Sequence, residues 1–246
     1  SLVAIRQERS SAEGLKVAAK RFALAAGIFA YIGSESVQSE VAAFAASGNL
    51  DIGTKACLML EKLMLAQSQA CVFEKALAGN HADSLVARLA WATSELYNEA
   101  HDACIDAGLK EWMAKGVYHY QQHCRHQRLC FEATAHYYAS RAHLATEEEY
   151  GLEIGRLRAS VELMVLAGKL EKDLLPGICE ARTRLMHAVE LRLRSACKDN
   201  DLIYHSPVIE FKSLPPIVGH RIAKPVLYEP PTSCGGISLK DPFVNL

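Results

Sequence analysis

LEKLMLAQSQACVFEKALAGNHADSLVARLAWATSEL, residues 60–96, decides the fold. Apolar residues recur through it at three- and four-residue intervals, the spacing that stacks side chains on one face of an α-helix. Ala78-Gly79-Asn80 interrupts the pattern with residues that end helices, and the periodicity then resumes. The stretch reads as a helical hairpin. Leu58, Leu60, Leu63, Leu65 and Ala66 supply the core-facing positions of its first helix, with Val72 and Phe73 beyond them. Leu85 and Leu89, one turn apart, share a face of the second. Such a face either packs into the core or forms a groove for an amphipathic helix, and periodicity alone leaves both readings open.

The same texture extends in both directions. Residues 2–33 carry a helical stripe that includes Leu15, Ala18, Phe22, Ala25, Ala26 and Phe29, with Ser10 or Ser11 as the N-cap. The small residues of that stripe would let a neighbouring helix approach closely. The hairpin's first helix is expected to start at Asp51 or Thr54, and its second to end near Ala107 before Gly108. A further helix is expected over 109–145. Thr146 and Glu147–Glu149 would open another, because carboxylates in a first turn complement the helix dipole. Pro176-Gly177 marks an irregularity before a last helix over 178–198. Beyond Asp199 the texture changes, since seven of the eight prolines lie within 200–246. Ile203, Val208, Ile209, Phe211, Leu214 and Ile217 make this segment too apolar for a free linker, so it is expected to lie along the helices as far as Lys224-Pro225. The fold class is therefore all-α: antiparallel helices stacked side by side in a tetratricopeptide-like array, a body over 1–198 and an extended arm over 199–246, without a strict 34-residue repeat.

The chain has 246 residues, of which 50% are apolar and 22% charged, and this composition supports a sizeable core. A formal net charge of −1 gives no general electrostatic attraction to nucleic acid or to anionic membrane. The eight cysteines are scattered without a CxxC pair and read as reduced thiols of a cytosolic protein. The sequence contains neither a signal-peptide pattern nor an uncharged run of membrane-spanning length.

Catalytic chemistry finds little support. His119, His123, His126 and Cys130 fall on one helix face, an arrangement that suits zinc in ligand type. That face also holds Trp112, Ala133 and Tyr137, and no second Cys/His pair closes the shell, so a packing surface is the reading preferred over a metal enzyme. Glu147–Glu149, Glu171, Asp173, Asp199 and Asp201 either cap helices or flank basic residues, and read as solvated charge. GxSxG, HExxH and phosphate-loop patterns are absent, and Gly235-Gly236 reads as a turn. No cofactor is expected.

Several segments together resemble a known family. EGLKVAAKRFALAAGIFAYI (13–32), LMLAQSQACVFEKAL (63–77), YGLEIGRLRAS (150–160), KDNDLIYHSPV (198–208), LPPIVGHRIAKP (214–225) and LKDPFVNL (239–246) are similar, in order, to the BRO domain of ALIX and related ESCRT-accessory proteins. The resemblance implies a banana-shaped, tetratricopeptide-like helical body, of which this chain corresponds to the C-terminal two thirds. It also implies a non-enzymatic adaptor that binds the C-terminal amphipathic helix of an ESCRT-III core subunit, a charged multivesicular body protein of class 4. Such an adaptor would be cytoplasmic, recruited to endosomes, and would meet the membrane only through its partners. The family's helix-binding patch falls on Lys16, Val72, Leu85 and Leu89: the three apolar residues would bury the partner's stripe, and Lys16 would pair with an acidic or carbonyl group at its edge. Two positions depart from the pattern. Val72 stands where a large aromatic can occur, a loss on the order of 1 kcal/mol unless Phe73 turns toward the groove, and Ala12 stands where an acidic residue can accompany the lysine. The same domain type also occurs in Rho-effector, phosphatase-like and fungal pH-response proteins, which implies a signalling scaffold with another partner as the alternative.

Overall fold

The structure, a computed structural model, describes residues 9–39, 53–106, 116–144, 149–172 and 174–230. Six long helices dominate it: α1 Ala12–Ile32, α2 Thr54–Ala78, α3 Asp83–Asp106, α4 Gly116–Leu144, α5 Tyr150–Gly168 and α6 Pro176–Asp199. Each packs on the next, and the described residues form no strand.

Local chemistry explains most boundaries. Ser11 is the N-cap of α1, its Oγ accepting from the Gly14 N–H at 3.0 Å. Ala18, Ala25, Ala26 and Gly27 are buried on the face of α1 that the sequence marked as small. Between α2 and α3, Asn80 takes the left-handed conformation at φ 50, as the Gly-Asn break requires. Other boundaries differ from expectation. Thr54 is the first helical residue of α2, and Gly53 precedes it without a side-chain cap. Pro176 begins α6 instead of breaking it, because a first-turn proline lacks only an N–H that would have no partner there. Glu149 occupies the N-cap of α5 without a capping bond. Asp51, Gly108, residues 145–148 and Gly235-Gly236 lie outside the described residues.

The core runs the length of the stack. Leu15, Phe22, Leu63, Leu65, Leu96 and Tyr97 join α1, α2 and α3; Leu129, Leu163 and Met164 join α4 and α5; Ile154, Leu157 and Val189 bring in α6. Leu58, expected inside, is 46% exposed. Glu153 is buried on α5, where it accepts from Arg192 Nε of α6 at 2.6 Å, so the charge is paired across the interface.

After α6 the KDNDLIY segment does not leave the helix at once. It continues as a π-helical turn, Asn200–Tyr204, closed by His205 at φ 50. Buried Asn200 holds that turn: its Nδ2 donates to the Ser206 carbonyl at 3.0 Å and its Oδ1 accepts from the Ser206 N–H at 2.9 Å. Ile203 points outward at 64% exposure, contrary to expectation, whereas Tyr204 stacks on Tyr150 with ring centroids 3.5 Å apart.

From there the chain runs back over the helices in reverse order. The Ile209 N–H donates to the Gly151 carbonyl of α5, and Arg156 of α5 donates to the Pro215 carbonyl. Phe211 meets His136 of α4 edge to face. Arg88 of α3 donates to the Val218 carbonyl at 3.1 Å, and its own carbonyl accepts from the His220 N–H at 2.9 Å. Gln69 of α2 holds His220, Ile222 and Ala223. On α1, the Ala23 carbonyl accepts from the Val226 N–H, and Tyr31 meets Tyr228 edge to face. Gly27 and Gly151 are required by this path, since a Cβ would lie 1.7 Å from the Val226 oxygen and 2.0 Å from the Pro207 oxygen respectively.

Candidate functional site

The hairpin of α2 and α3 brings Val72, Leu85 and Leu89 into one apolar cluster with Phe73, Val86 and Tyr138, and Ile217 of the arm packs on its edge. The three residues are not equivalent. Val72 and Leu85 are half-buried, but Leu89 is only 2% exposed and belongs to the core. Periodicity placed Leu85 and Leu89 on one face correctly; it could not show that α4 covers the second and leaves the first partly open. Phe73 does not turn toward the opening. It is buried at 7% exposure against Phe131 and Tyr138, with centroids 5.5 and 6.4 Å away, so the side chain missing at Val72 is not replaced.

Lys16 stands outside that cluster on the exposed face of α1. Its Nζ lies 3.4 Å from Glu13 Oε2, one turn back, so an acidic partner is present although Ala12 is not one. A pair this exposed contributes little to stability and leaves the ammonium available to another anion. The arm's part in the site went unnoticed in the sequence: Gln69 and Arg88, each close in sequence to a patch residue, clamp 218–223 beside it. The sequence signal was the apolar content of the arm, Ile217 included, which pointed to the helices but not to these two side chains.

The histidine-rich face of α4 is mostly a packing surface. His126 is fully buried, with Nε2 3.6 Å from a Glu171 oxygen and the Cys130 sulfur 3.7 Å from Nδ1. Burial pushes the Cys130 thiol up to about 12, pulls His126 below its ordinary value, and takes His123 down to about 4 with help from neighbouring His126. A protonated thiol beside neutral imidazoles is a poor nucleophile. Among the described residues no group of three or more His, Cys, Asp or Glu side chains is arranged to hold a metal ion. The Glu171 carboxylate is held by Arg182. Of the described helices, none is long and apolar enough to cross a membrane.

The BRO1-like domain family model matches residues 1–246. The chain belongs to this family. It is 30% identical over 230 residues to the vacuolar-sorting protein BRO1 of Arabidopsis thaliana, covering 92% of this chain and 26% of that protein. It is 31% identical over 219 residues to the programmed cell death 6-interacting protein of Homo sapiens, covering 88% and 23%. The chain thus spans about a quarter of the length of these relatives. The fold matches a solved structure of the ALIX BRO1 CHMP4C complex with a TM-score of 0.78 and 26% identity, covering 97% of this chain and 62% of that one.

Proposed function

We propose that this BRO1-like domain is an adaptor that recognises the C-terminal amphipathic helix of an ESCRT-III core subunit of class 4, and that it acts in endosomal sorting and membrane scission. In this reading Val72 and Leu85 take the partner's apolar stripe, Leu89 supports them from beneath, and Lys16 pairs with an acidic or carbonyl group at the rim. The observation that carries it is the convergence of Val72, Leu85 and Leu89 in one cluster that is left half-open at the first two. The related ALIX domain, solved with CHMP4C, supports the choice of partner. The reading needs neither a cofactor nor nucleic acid, and membrane contact comes through the partner. Titration of a fluorescent class 4 ESCRT-III C-terminal peptide should saturate on the native chain and fail on Leu85→Asp. Equal binding to both, or none to the native chain, would remove the patch from consideration.

A further inference from the structure

A second opening lies on the other side of α2. Leu63, Gln67 and Ala70 are spaced along one helical face, roughly opposite the face that carries Gln69 and Val72. They border a trough with α4 as its far side and the start of α6 at its end. Three cavities make it up, of 440, 310 and 280 Å3. Gln67, His123 and Ile178 line the first two, while Gln127, Phe131 and Ile178 line the last two. From His119 to Thr134 the trough follows α4 for roughly 22 Å at 1.5 Å per residue. Its walls are mainly apolar, and two large side chains at the mouth of the widest cavity are exposed, Leu175 at 71% and Tyr120 at 40%.

The charged side chains of its lining are paired, Arg9 with Glu74 in the middle cavity and Arg182 with Glu171 beside the last, and among the uncharged polar groups Gln67 gives the trough a preference. Gln67 lines both larger cavities, and its Oε1 is buried without a hydrogen-bond partner. A ligand that covers this carbonyl without supplying a donor leaves it unpaired at a cost on the order of 1–3 kcal/mol, so a segment that brings a donor is favoured over one that does not. The terminal torsion of glutamine is broad and roughly two-fold, so the amide can turn its oxygen to an incoming donor at little cost. His123, held neutral by burial, adds no charge to the trough.

We infer that this trough is a second peptide-docking site, independent of the Val72–Leu85 patch, that takes a partner segment anchored by a tryptophan or tyrosine whose N–H or O–H donates to Gln67. Those two side chains combine a large apolar body with one donor, and they dominate protein interfaces for that reason. Phenylalanine fills the same space but leaves the Gln67 oxygen unpaired.

The test uses N-acetyl-tryptophanamide, N-acetyl-tyrosinamide and N-acetyl-phenylalaninamide as probes, followed by methyl NMR of the full chain. The first two should shift the Ile178 and Leu175 methyls at millimolar concentration and bind about tenfold more tightly than the third, the discrimination expected when a buried polar group is left unpaired. Gln67→Leu should erase that preference, and Leu175→Asp, at an exposed position, should weaken all three probes. Neither variant should alter titration of the ESCRT-III peptide, so failure here is separable from failure at the other patch. Unmoved methyls, equal affinity for the three probes on the native chain, or a preference that survives Gln67→Leu would overturn the inference.

Discussion

Gln69, fully buried on α2, accepts through Oε1 from the backbone N–H of Ala223 at 2.9 Å, across 154 residues of sequence. The same oxygen accepts from the Ile222 N–H at 2.9 Å, and Nε2 donates to the His220 carbonyl at 2.9 Å. One amide therefore satisfies three backbone groups of a segment that forms no sheet of its own. Gln69→Leu keeps the volume but strands all three, and should cost about 3 kcal/mol, since unsatisfied buried groups cost 1–3 kcal/mol each and water recovers some. Urea denaturation, together with faster proteolysis within 214–228, would measure it.

Gly27→Ala offers a test in which two effects oppose one another. Inside a helix the change is worth up to about 1 kcal/mol in favour of alanine. The new methyl would, however, lie 1.7 Å from the Val226 carbonyl oxygen. Displacing the arm there would also break the bond from the Val226 N–H to Ala23 and the contact between Tyr31 and Tyr228. Net destabilisation of about 1–2 kcal/mol is expected, and a raised melting temperature would show that the arm does not press on α1.

Leu85 and Leu89 should separate binding from folding. Leu85→Asp places a charge at a half-open position and should reduce ESCRT-III peptide affinity at least tenfold with a melting shift of a few degrees. Leu89→Ala should cost about 2–5 kcal/mol in stability by leaving a cavity beneath the patch. Calorimetry on both variants beside peptide titration checks the division of roles; comparable stability losses would contradict it.

At the patch itself, Val72→Phe should restore contact area and tighten the peptide by about 1 kcal/mol, or roughly fivefold. Phe73 cannot already supply that area, because it is committed to Phe131 and Tyr138. Unchanged affinity in the same titration would place Val72 outside the contact.

Acid should weaken the fold through its buried imidazoles. Burial, aided by the adjacent Arg156 guanidinium, takes His136 down to about 3, and burial with nearby His126 takes His123 to about 4. Both folded values lie below the ordinary value near 6.5, so the unfolded chain binds protons that the folded chain excludes. This contribution is complete above about pH 6.5 and is lost as pH falls toward 4, with His136 accounting for about 1 kcal/mol between pH 7 and 5.5. Chemical denaturation at the two pH values should show the loss, and His136→Gln should reduce it.

Much of this architecture was legible in the residues, and the exceptions share a cause. Small residues on α1 and the Gly79-Asn80 break announce themselves locally, and each is found where it was expected. Periodicity names a face but not its neighbour, which is why Leu58 was taken for core and why Leu85 and Leu89 could not be told apart. Phe73 and Val72 are adjacent, so only the position of α4 decides which is enclosed. Gln69 and Arg156 gave no signal, because their partners are backbone groups 151–154 and 59 residues away, invisible to any local pattern.

The reverse path of the arm changes how such an array folds. A stack of helices, each touching its neighbours, can zip up from any point and open from either end, each unit holding on its own account. Contacts that join the last described segment to the first helix introduce long loop closures, which slow folding and can be made only after the intervening helices are in place. Once docked, the arm denies either end an independent opening, so the ends should exchange their amide hydrogens together with the middle. A short, mostly exposed strap thereby turns a linear array into a single cooperative unit.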